Sequence, residues 1–345
     1  MQSELVSVLM PVRNGLPHIR EAVQSILRQD YRNIQFIIVN DGSIDGTADY
    51  LSSVSDSRLL VVNSTGNGLV TALNQGLDLC QGRYTARMDA DDISAPGRIS
   101  TQMRAAFSDD AIGVISSDIE RISSLSQSLG VERGGNLSPS DLRNSMLFES
   151  KYKPIVHPTV LFKTDLVRLA GGYRHYDASE DRDLWLRLVD RTRFVRLSEV
   201  LLQYRMTPTG VSRSKRVQQT AGSIMAALNY QINDRHAIDI YEEYPELWRS
   251  LLRLVTRDVE AIFPAERAFE EAKQTFRRGR YVGAMAQVMH GVVQHRLAFI
   301  PAMRRRMLRA HLRARLALAG NLIAAVQAAG PVARSNIGLS GHSIE

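Results

Sequence analysis

The chain has 345 residues, of which 44% are hydrophobic and 23% charged, so it has the composition of a folded globular protein with one or two domains. A single cysteine, Cys80, excludes an internal disulfide framework and favours a reducing compartment. No apolar run reaches the roughly 18 residues of a membrane span, and the start lacks a secretory signal pattern. These observations predict a cytoplasmic protein.

The formal net charge of +7 is unevenly distributed along the chain. Residues 272–344 contain 12 Lys or Arg and no Asp or Glu, so the preceding part carries more acidic than basic groups. The basic character therefore belongs to the C-terminal segment, and the two parts are predicted to meet different partners.

The first 90 residues alternate short apolar runs with helical patterns. Four apolar runs predict β-strands, at residues 5–10, 34–39, 59–62 and 84–88. Apolar residues at helical spacing lie between them, for example from Ile19 to Leu27. This alternation predicts a parallel sheet with crossover helices, whose ligands bind beyond the carboxyl ends of the strands.

Each predicted strand ends in a polar turn. These turns are residues 11–14, 41–43, 66–68 and 89–92. None of them is a Gly-x-Gly-x-x-Gly or a Walker loop, which disfavours dinucleotide and ATP sites of those kinds. Four polar turns at one edge of a sheet predict a ligand site there.

The turn after the fourth strand holds three carboxylates, Asp89, Asp91 and Asp92. Carboxylates this close repel one another unless a cation compensates them. Oxygen-only ligands favour Mg²⁺ or Mn²⁺, often shared with substrate phosphates. A solvated acidic turn explains an isolated cluster equally well, but the place of this one at the sheet edge favours a metal–diphosphate site.

Seven segments, in order, resemble the family 2 glycosyltransferases. They are residues 6–14, 25–30, 39–47, 73–76, 86–92, 157–162 and 180–187. The resemblance runs over residues 4 to 210 and implies a GT-A fold: an α/β structure with a mostly parallel central sheet flanked by helices, followed here by a helical C-terminal region. It also implies an inverting, metal-dependent enzyme that moves a sugar from a nucleotide-diphosphate donor.

The resemblance assigns donor-site residues at the strand ends. It implies that Asp41 contacts the base of a UDP-sugar, although the family usually has a second aspartate where this chain has Asn40. Asp91 would bind the metal, and Asp89 would bind the metal and the ribose or sugar. Pro11, Asn14 and Arg205 complete the predicted donor site. Arg205 would lie near the diphosphate, although an arginine exposed to solvent explains this position equally well.

The general base should lie on the face of the sugar opposite the leaving group. Glu180 and Asp181 open an amphipathic helix, where carboxylates also serve as ordinary caps. The resemblance favours the catalytic reading, with Asp181 as the base and Glu180 orienting it or touching the acceptor. Such a single displacement inverts the anomeric centre.

Two nearby residues have open roles. Asp92 is predicted either to support the metal site or to cap the helix after Pro96. His157 precedes Pro158 at a strand start, and a lone histidine is more often structural than a ligand.

The predicted domains are a catalytic domain at 1–215 and a helical region at 216–330, followed by a disordered tail at 331–345. The catalytic domain divides into a nucleotide-sugar half at about 1–118 and an acceptor half at about 119–215. Within the helical region, residues 301–330 form a basic amphipathic pattern that suits the anionic inner face of a membrane. A helix packed on the domain with a solvated arginine face explains the pattern equally well.

The sequence therefore predicts a hexosyltransferase for surface or exopolysaccharide synthesis, acting on a saccharide or lipid-linked acceptor. A nucleotidyltransferase is the enzyme alternative, but the first loop has only Arg13 and one glycine where a glycine-rich basic loop is expected. A nucleic-acid-binding protein is the other alternative. It is disfavoured because residues 303–334 contain no aromatic side chain, so no nucleic-acid partner is expected.

Overall fold

The computed structural model describes residues 4–135, 138–147, 155–176, 178–207, 215–277 and 317. The chain forms two compact units. The first comprises residues 1–176 and 180–214, and the second comprises residues 177–179 and 215–345.

The described part of the first unit contains one nine-stranded sheet. Its strands are β1 (Val6–Val12), β2 (Ile34–Asp41), β3 (Leu59–Ser64), β4 (Tyr84–Arg87), β5 (Ile93–Ser94), β6 (Ile112–Ser123), β7 (Ser128–Glu132), β8 (Leu161–Lys163) and β9 (Arg193–Met206). Their order across the sheet is β3-β2-β1-β4-β8-β6-β9-β5, and β7 pairs with β6.

Helices connect and cover these strands. They are α1 (Ile19–Leu27), α2 (Thr47–Ser53), α3 (Leu69–Leu79), α4 (Arg98–Ser108), α5 (Pro139–Leu147), α6 (Thr164–Leu169) and α7 (Glu180–Leu188). A short 3₁₀ turn spans His157–Thr159. Helix α1 buries the apolar stripe predicted from its spacing, including Ile19, Val23 and Ile26.

The sheet confirms the predicted α/β fold. Strands β3, β2, β1 and β4 are parallel neighbours, and every residue of β1 is buried, as expected for a strand covered on both faces. Strand β8 pairs antiparallel with β4 and with β6, whereas β6 and β9 are parallel. Six of the nine strands thus share one direction.

This topology brings the predicted site residues to one edge. In register, Leu9 of β1 lies beside Arg87 of β4, and Val12 lies beside Asn40 of β2. The chain therefore leaves β1, β2 and β4 at neighbouring points, and Asn14, Asp41 and Asp89 follow those points.

The second unit is helical where the structure describes it. Its helices are α8 (Arg216–His236), α9 (Ile240–Glu243) and α10 (Pro245–Arg277). Asn229 of α8 fixes the start of α9, because its side chain accepts a hydrogen bond from the Ile240 amide and donates one to Asp239. The predicted basic helix at 301–330 and the predicted tail at 331–345 lie outside the described residues, apart from residue 317. Among the helices described, none is both long enough and apolar enough to cross a bilayer.

Candidate active site

The three carboxylates of the acidic turn converge. One oxygen from each of Asp89, Asp91 and Asp92 lies within 4.8 Å of the others. Asp92 is buried, whereas Asp89 and Asp91 are partly exposed, so the latter two offer the accessible oxygens.

Nearby arginines compensate the charge of the acidic turn only in part. Burial, and then repulsion from Asp89, raise the pKa of Asp91 to about 6. Burial and the charges of Asp89 and Asp91 raise the pKa of Asp92 well above its ordinary value. A divalent cation would relieve this repulsion, and an all-oxygen donor set suits Mg²⁺ or Mn²⁺. The residues present therefore fit a hard divalent ion.

Asp92 supports this turn from within the protein. Its Oδ1 accepts a 2.8 Å hydrogen bond from the Arg205 amide. The hypothesis that Asp92 caps the following helix is wrong, because α4 begins at Arg98 with Gly97 as its N-cap and no capping side chain. The alternative of a supporting role agrees with this hydrogen bond.

The Arg205 side chain is buried and joins three segments. Its Nε donates to the Asp91 carbonyl at 2.7 Å, Nη1 donates to Ser126 Oγ at 2.9 Å, and Nη2 pairs with Glu21 at 2.6 Å. It thereby ties the acidic turn to α1 and to the β6–β7 hairpin. These contacts engage every guanidinium nitrogen, which favours a bracing role. Contact with the donor diphosphate stays a prediction.

Asp41, the predicted contact for the nucleotide, is 3% exposed. Its Oδ2 accepts from the Gly68 amide at 2.9 Å. Its Oδ1 is buried without a hydrogen-bond partner among the described residues, so this oxygen is available to a ligand N–H. Gly42 must be a glycine here, since φ is +69° and a Cβ would lie 3.2 Å from Gly66 Cα.

Asn14 joins the end of β1 to the loop after β2. Its Oδ1 accepts from the Ile44 amide, and its own amide donates to Ser43 Oγ, both at 2.9 Å. Pro11 is buried in β1 opposite Val39. Both residues shape the predicted donor edge, and direct donor contact by either remains a prediction.

The departure from the family pattern at Asn40 has a structural role. Its Nδ2 donates to Asn63 Oδ1 at 3.0 Å, and its Oδ1 faces the Ser43 amide at 3.4 Å. An amide serves both contacts, as donor and as acceptor, which a carboxylate could not do.

The predicted base, Asp181, and its neighbour Glu180 lie at the start of α7. Glu180 is 6% exposed and Asp181 is half-buried. Burial, and then repulsion from Asp181, raise the pKa of Glu180 to about 7. A buried carboxyl group with a pKa near neutrality is typical of catalytic sites.

His157 lies beside this carboxyl group. Its Nδ1 is 4.0 Å from Glu180 Oε1, and its Nε2 shares a 3.0 Å hydrogen bond with the Tyr173 hydroxyl. Burial, and then the charge of Arg87, hold the pKa of His157 well below its ordinary range, so the ring is neutral at pH 7. His157, whose role the sequence left open, thus borders Glu180.

Helix α7 is anchored through the loop that precedes it. Arg187 donates to Asp183 at 2.8 Å and to the Gly172 carbonyl at 2.7 Å. Asn74 of α3 makes two 2.8 Å hydrogen bonds to the main chain of Tyr173, one as donor and one as acceptor. These contacts fix Tyr173 against His157 and tie α7 to the loop around Gly172.

The acidic turn and the base side share one buried cation. Arg87 forms an ion pair with Asp89. Its charge also opposes the rise in the pKa values of Asp91 and Glu180. Both carboxylate groups therefore lie within electrostatic reach of the same guanidinium.

Comparison with known proteins decides the family. Residues 7–164 match the family model of glycosyl transferase family 2. The putative glycosyltransferase EpsE of Bacillus subtilis is 32% identical over 208 residues, which cover 58% of this chain and 72% of that protein. The chain belongs to glycosyltransferase family 2.

Other relatives of this glycosyltransferase agree. The O-antigen biosynthesis glycosyltransferase WbnJ of Escherichia coli is 27% identical over 237 residues, 67% of this chain and 89% of that protein. Matched segments span between 65% and 74% of the length of four curated relatives. The mannosyltransferase PcManGT from Pyrobaculum calidifontis, solved with GDP-Man and Mn²⁺, has a TM-score of 0.53 at 22% identity over 92% of this chain and 86% of that one, and it shares the fold.

Two further buried polar residues beside the acidic turn of this glycosyltransferase were not predicted from the sequence. Arg98 is 1% exposed, and its Nη2 donates to the Arg87 carbonyl at 2.7 Å. Burial lowers its pKa to about 9. Gln29, also buried, donates to the Ala95 carbonyl at 2.7 Å. An arginine at a helix start usually lies in solvent, so no local signal distinguishes Arg98. Gln29 was within a recognised segment but carried no predicted role.

Proposed function

We propose that this glycosyltransferase is an inverting, metal-dependent enzyme that transfers a sugar from a nucleotide-diphosphate donor to a saccharide or lipid-linked acceptor. UDP-sugars are the first-choice donors. The proposed process is the synthesis of a surface polysaccharide or exopolysaccharide, at the inner face of the cell membrane.

One observation carries the proposal. A cluster of carboxylates fit for a divalent ion follows β4, and Glu180, buried next to Asp181 at the start of α7, acts on the same buried cation as this cluster, Arg87. Glycosyl transfer needs a stabilised leaving group and a base for the acceptor hydroxyl. The two clusters supply one requirement each.

The mechanism follows from the chemistry of these groups. The Asp41 oxygen that has no partner accepts a hydrogen bond from the nucleobase of the donor. Asp91 and Asp89 would hold the metal ion, which neutralises the charge of the diphosphate when bound. Asp181 accepts the proton of the acceptor hydroxyl, and Glu180 orients that hydroxyl or Asp181 itself. The acceptor oxygen bonds to the anomeric carbon as the bond to the diphosphate oxygen breaks, and attack from the opposite face inverts that carbon.

This assignment leaves the identity of the donor's nucleobase open. A carboxylate oxygen without a donor suits the N3–H of uracil, and it equally suits the N–H groups of guanine. The solved mannosyltransferase with the shared fold binds GDP-Man, which makes GDP-sugars the necessary comparison. The polysaccharide role draws on the name of WbnJ, an O-antigen biosynthesis enzyme.

A thermal-shift screen tests the proposal. UDP- and GDP-sugars are added to the wild type with Mn²⁺, with Mg²⁺ and with chelator. We expect one donor to raise Tm only with metal, because a ligand that binds the folded state stabilises it by mass action. Asp91→Asn should lose this metal-dependent increase, whereas Asp165→Asn, at an exposed side chain in α6, should keep it.

The outcome that contradicts the proposal is equally clear. Release of pyrophosphate from a nucleoside triphosphate, in the absence of any nucleotide sugar, would indicate a nucleotidyltransferase. No metal-dependent stabilisation by any nucleotide sugar, together with steeply salt-dependent binding to DNA or RNA, would indicate a nucleic-acid-binding protein.

Membrane association rests on the sequence of residues 301–330 alone. A variant that lacks residues 301–345 should move from the membrane fraction to the soluble fraction, because the basic amphipathic segment is the proposed anchor. An unchanged distribution would remove that part of the proposal.

A further inference from the structure

His157 is a buried histidine that the proposed mechanism does not use. It opens the short 3₁₀ turn before β8 and is 8% exposed. Its carbonyl accepts a 3.1 Å hydrogen bond from the Val160 amide, which ties its main chain into the turn. Because a buried polar side chain needs partners for its polar atoms, the surroundings of the two ring nitrogens indicate what this residue does.

The partner of Nε2 is held in place by a different part of the fold. The Tyr173 hydroxyl lies 3.0 Å from His157 Nε2, and Tyr173 is 2% exposed. Asn74 of α3 holds the Tyr173 main chain through two hydrogen bonds of 2.8 Å. The hydroxyl therefore occupies a fixed position, from which it can donate its proton to Nε2.

The opposite side of the His157 ring faces α7. Its Nδ1 lies 4.0 Å from Glu180 Oε1. The ring also packs edge-on against Trp185 of the same helix, with 5.9 Å between the ring centroids. The imidazole is thus confined between the Tyr173 hydroxyl and the start of α7.

These neighbours favour one tautomer of His157. Burial lowers the pKa of the ring, so it is neutral and only one of its nitrogens carries a proton. When the Tyr173 hydroxyl donates to Nε2, Nδ1 carries that proton and directs it at the Glu180 carboxyl group. The reverse arrangement would turn a nitrogen lone pair towards a carboxylate oxygen, which is unfavourable. The tautomer with the proton on Nδ1 suits both neighbours.

We propose that His157 is a positioning residue for the transfer reaction. Its Nδ1–H holds the Glu180 carboxyl group in one orientation beside Asp181, and the Tyr173 hydroxyl selects the tautomer that does so. A distance of 4.0 Å is longer than a hydrogen bond, and contacts of catalytic groups commonly shorten once the substrate binds. This inference rests on the proposed function, because it concerns how Glu180 acts in that reaction.

A double-mutant cycle between His157 and Glu180 tests the proposal. His157→Ala, Glu180→Ala and the double variant are assayed for kcat and for KM of donor and acceptor at saturating Mn²⁺. His157→Asn is added because its amide nitrogen is as far along the side chain as Nδ1 and carries N–H groups. The matched control is Phe194→Leu, because the Phe194 ring in β9 packs on Trp185 at 6.2 Å and belongs to the same aromatic cluster.

We expect His157→Ala to lower kcat about 10- to 100-fold, since a misplacement of roughly 1 Å can cost about 100-fold in rate. The KM for donor and the metal-dependent rise in Tm with donor should not change. In the Glu180→Ala background the same substitution should change kcat by less than about 2-fold, because the group on which it acts is gone. His157→Asn should recover much of kcat. Phe194→Leu should lower Tm and keep the wild-type kcat.

The proposal is overturned if His157→Ala keeps the wild-type kcat, or if it loses as much kcat in the Glu180→Ala background as in the wild type. An equal loss of kcat in Phe194→Leu would also overturn it, since general loosening of the cluster would then be enough. If His157→Ala does not fold, His157→Gln takes its place. Its amide reaches the position of Nε2 and leaves no N–H at that of Nδ1, so wild-type kcat in this variant overturns the proposal.

Failure of this inference can be distinguished from failure of the proposed function. Absence of transfer by the wild type with every donor would overturn both. An active wild type with an unaffected His157→Ala would overturn only the positioning role.

Discussion

The proposed donor side, around the acidic turn, and the proposed base side, at the start of α7, are built in different ways. On the donor side, buried polar side chains make short hydrogen bonds to main-chain carbonyls around the acidic turn, as Arg98, Arg205 and Gln29 do. On the base side, similar hydrogen bonds from Arg187 and Asn74 hold the loop before α7, but burial and charge govern Glu180 itself. Glu180 lies 4.0 Å from a neutral His157 and beside a second carboxylate.

This difference matches the two tasks of a transferase. A diphosphate needs ligands held at fixed positions, and hydrogen bonds to the main chain provide that rigidity. A group that helps to move a proton needs a pKa near the working pH, and burial with a nearby like charge provides that. Substitutions on the two sides should therefore fail in different ways.

The largest effect should come from Asp181→Asn. Loss of a general base typically costs about 10²- to 10⁴-fold in rate, and we expect kcat to fall by that factor. The metal-dependent rise in Tm with donor should survive, because the donor side is untouched. Steady-state kinetics and thermal shift on the same samples check this.

Asp165→Asn, at an 87% exposed side chain, is the control for that substitution. Loss of donor binding in Asp181→Asn would contradict the assignment of the base. If Glu180→Gln lost far more kcat than Asp181→Asn, Glu180 would be the base.

The next largest effect should separate the two adjacent carboxylates Asp91 and Asp92. Losing a residue that supports a metal ligand costs about 10- to 100-fold in activity, and losing the ligand itself should cost more. We therefore expect Asp91→Asn, at the proposed ligand, to lose at least about 100-fold in Mn²⁺-dependent activity. Asp92→Asn, at the supporting residue, should lose less. In chelator, Asp91→Asn should be more stable than the wild type by on the order of 1 kcal/mol, since one repelling charge is gone. Mn²⁺ titrations followed by activity and Tm measure both.

Equal losses of Mn²⁺ affinity in Asp91→Asn and Asp92→Asn would contradict this division, and so would a lower Tm of Asp91→Asn in chelator. Asp92 would then bind the ion directly, despite its burial and its hydrogen bond to the Arg205 amide.

Arg205→Lys should give a smaller effect. A lysine keeps the charge opposite Glu21 but cannot also reach the Asp91 carbonyl and Ser126, so the turn should loosen. We expect Mn²⁺ affinity to fall about 10-fold, the lower end of the range for an orienting neighbour. Donor affinity at saturating Mn²⁺ should change little. A large loss of donor affinity there would instead support contact between Arg205 and the diphosphate.

The sheet and its ligand edge could be predicted because they are local features of the sequence. Each of the first four strands is a short apolar run followed by a polar turn, and crossover helices between such runs impose parallel pairing. The positions of Asp41, Asp89 and Asp91 at strand ends follow directly. The roles of these residues rest on the family resemblance, and the proposed substitutions test them.

Long-range contacts explain what the sequence could not predict. Arg205 reaches the Asp91 carbonyl across 114 positions, and Gln29 reaches the Ala95 carbonyl across 66. The antiparallel insertion of β8 beside β4 depends on a pairing between distant segments. No periodicity or short motif encodes such partners, so Arg87, Arg98 and His157 acquired their places only in three dimensions.

The smallest effect is a pH dependence of stability that should distinguish Glu180 from an ordinary carboxylate. Its pKa in the folded protein, about 7, lies above the 4.5 of an unperturbed glutamate. Between these values the folded state keeps a proton that the unfolded state releases, so this group's contribution to stability falls as pH rises through the window. The full loss, present above pH 7, is up to about 3 kcal/mol.

Glu180→Gln cannot ionise and escapes this loss. Measured in chelator, its Tm relative to the wild type should rise by several °C between pH 4.5 and pH 7.5, since about 1 kcal/mol shifts the Tm of a protein of this size by a few degrees. Glu199→Gln, at an exposed glutamate in β9, should run parallel to the wild type. If the Tm of Glu180→Gln also followed that of the wild type across this pH range, Glu180 would ionise in the folded protein at little cost. The contrast between a donor side held by hydrogen bonds and a base side governed by charge would then lose its main support.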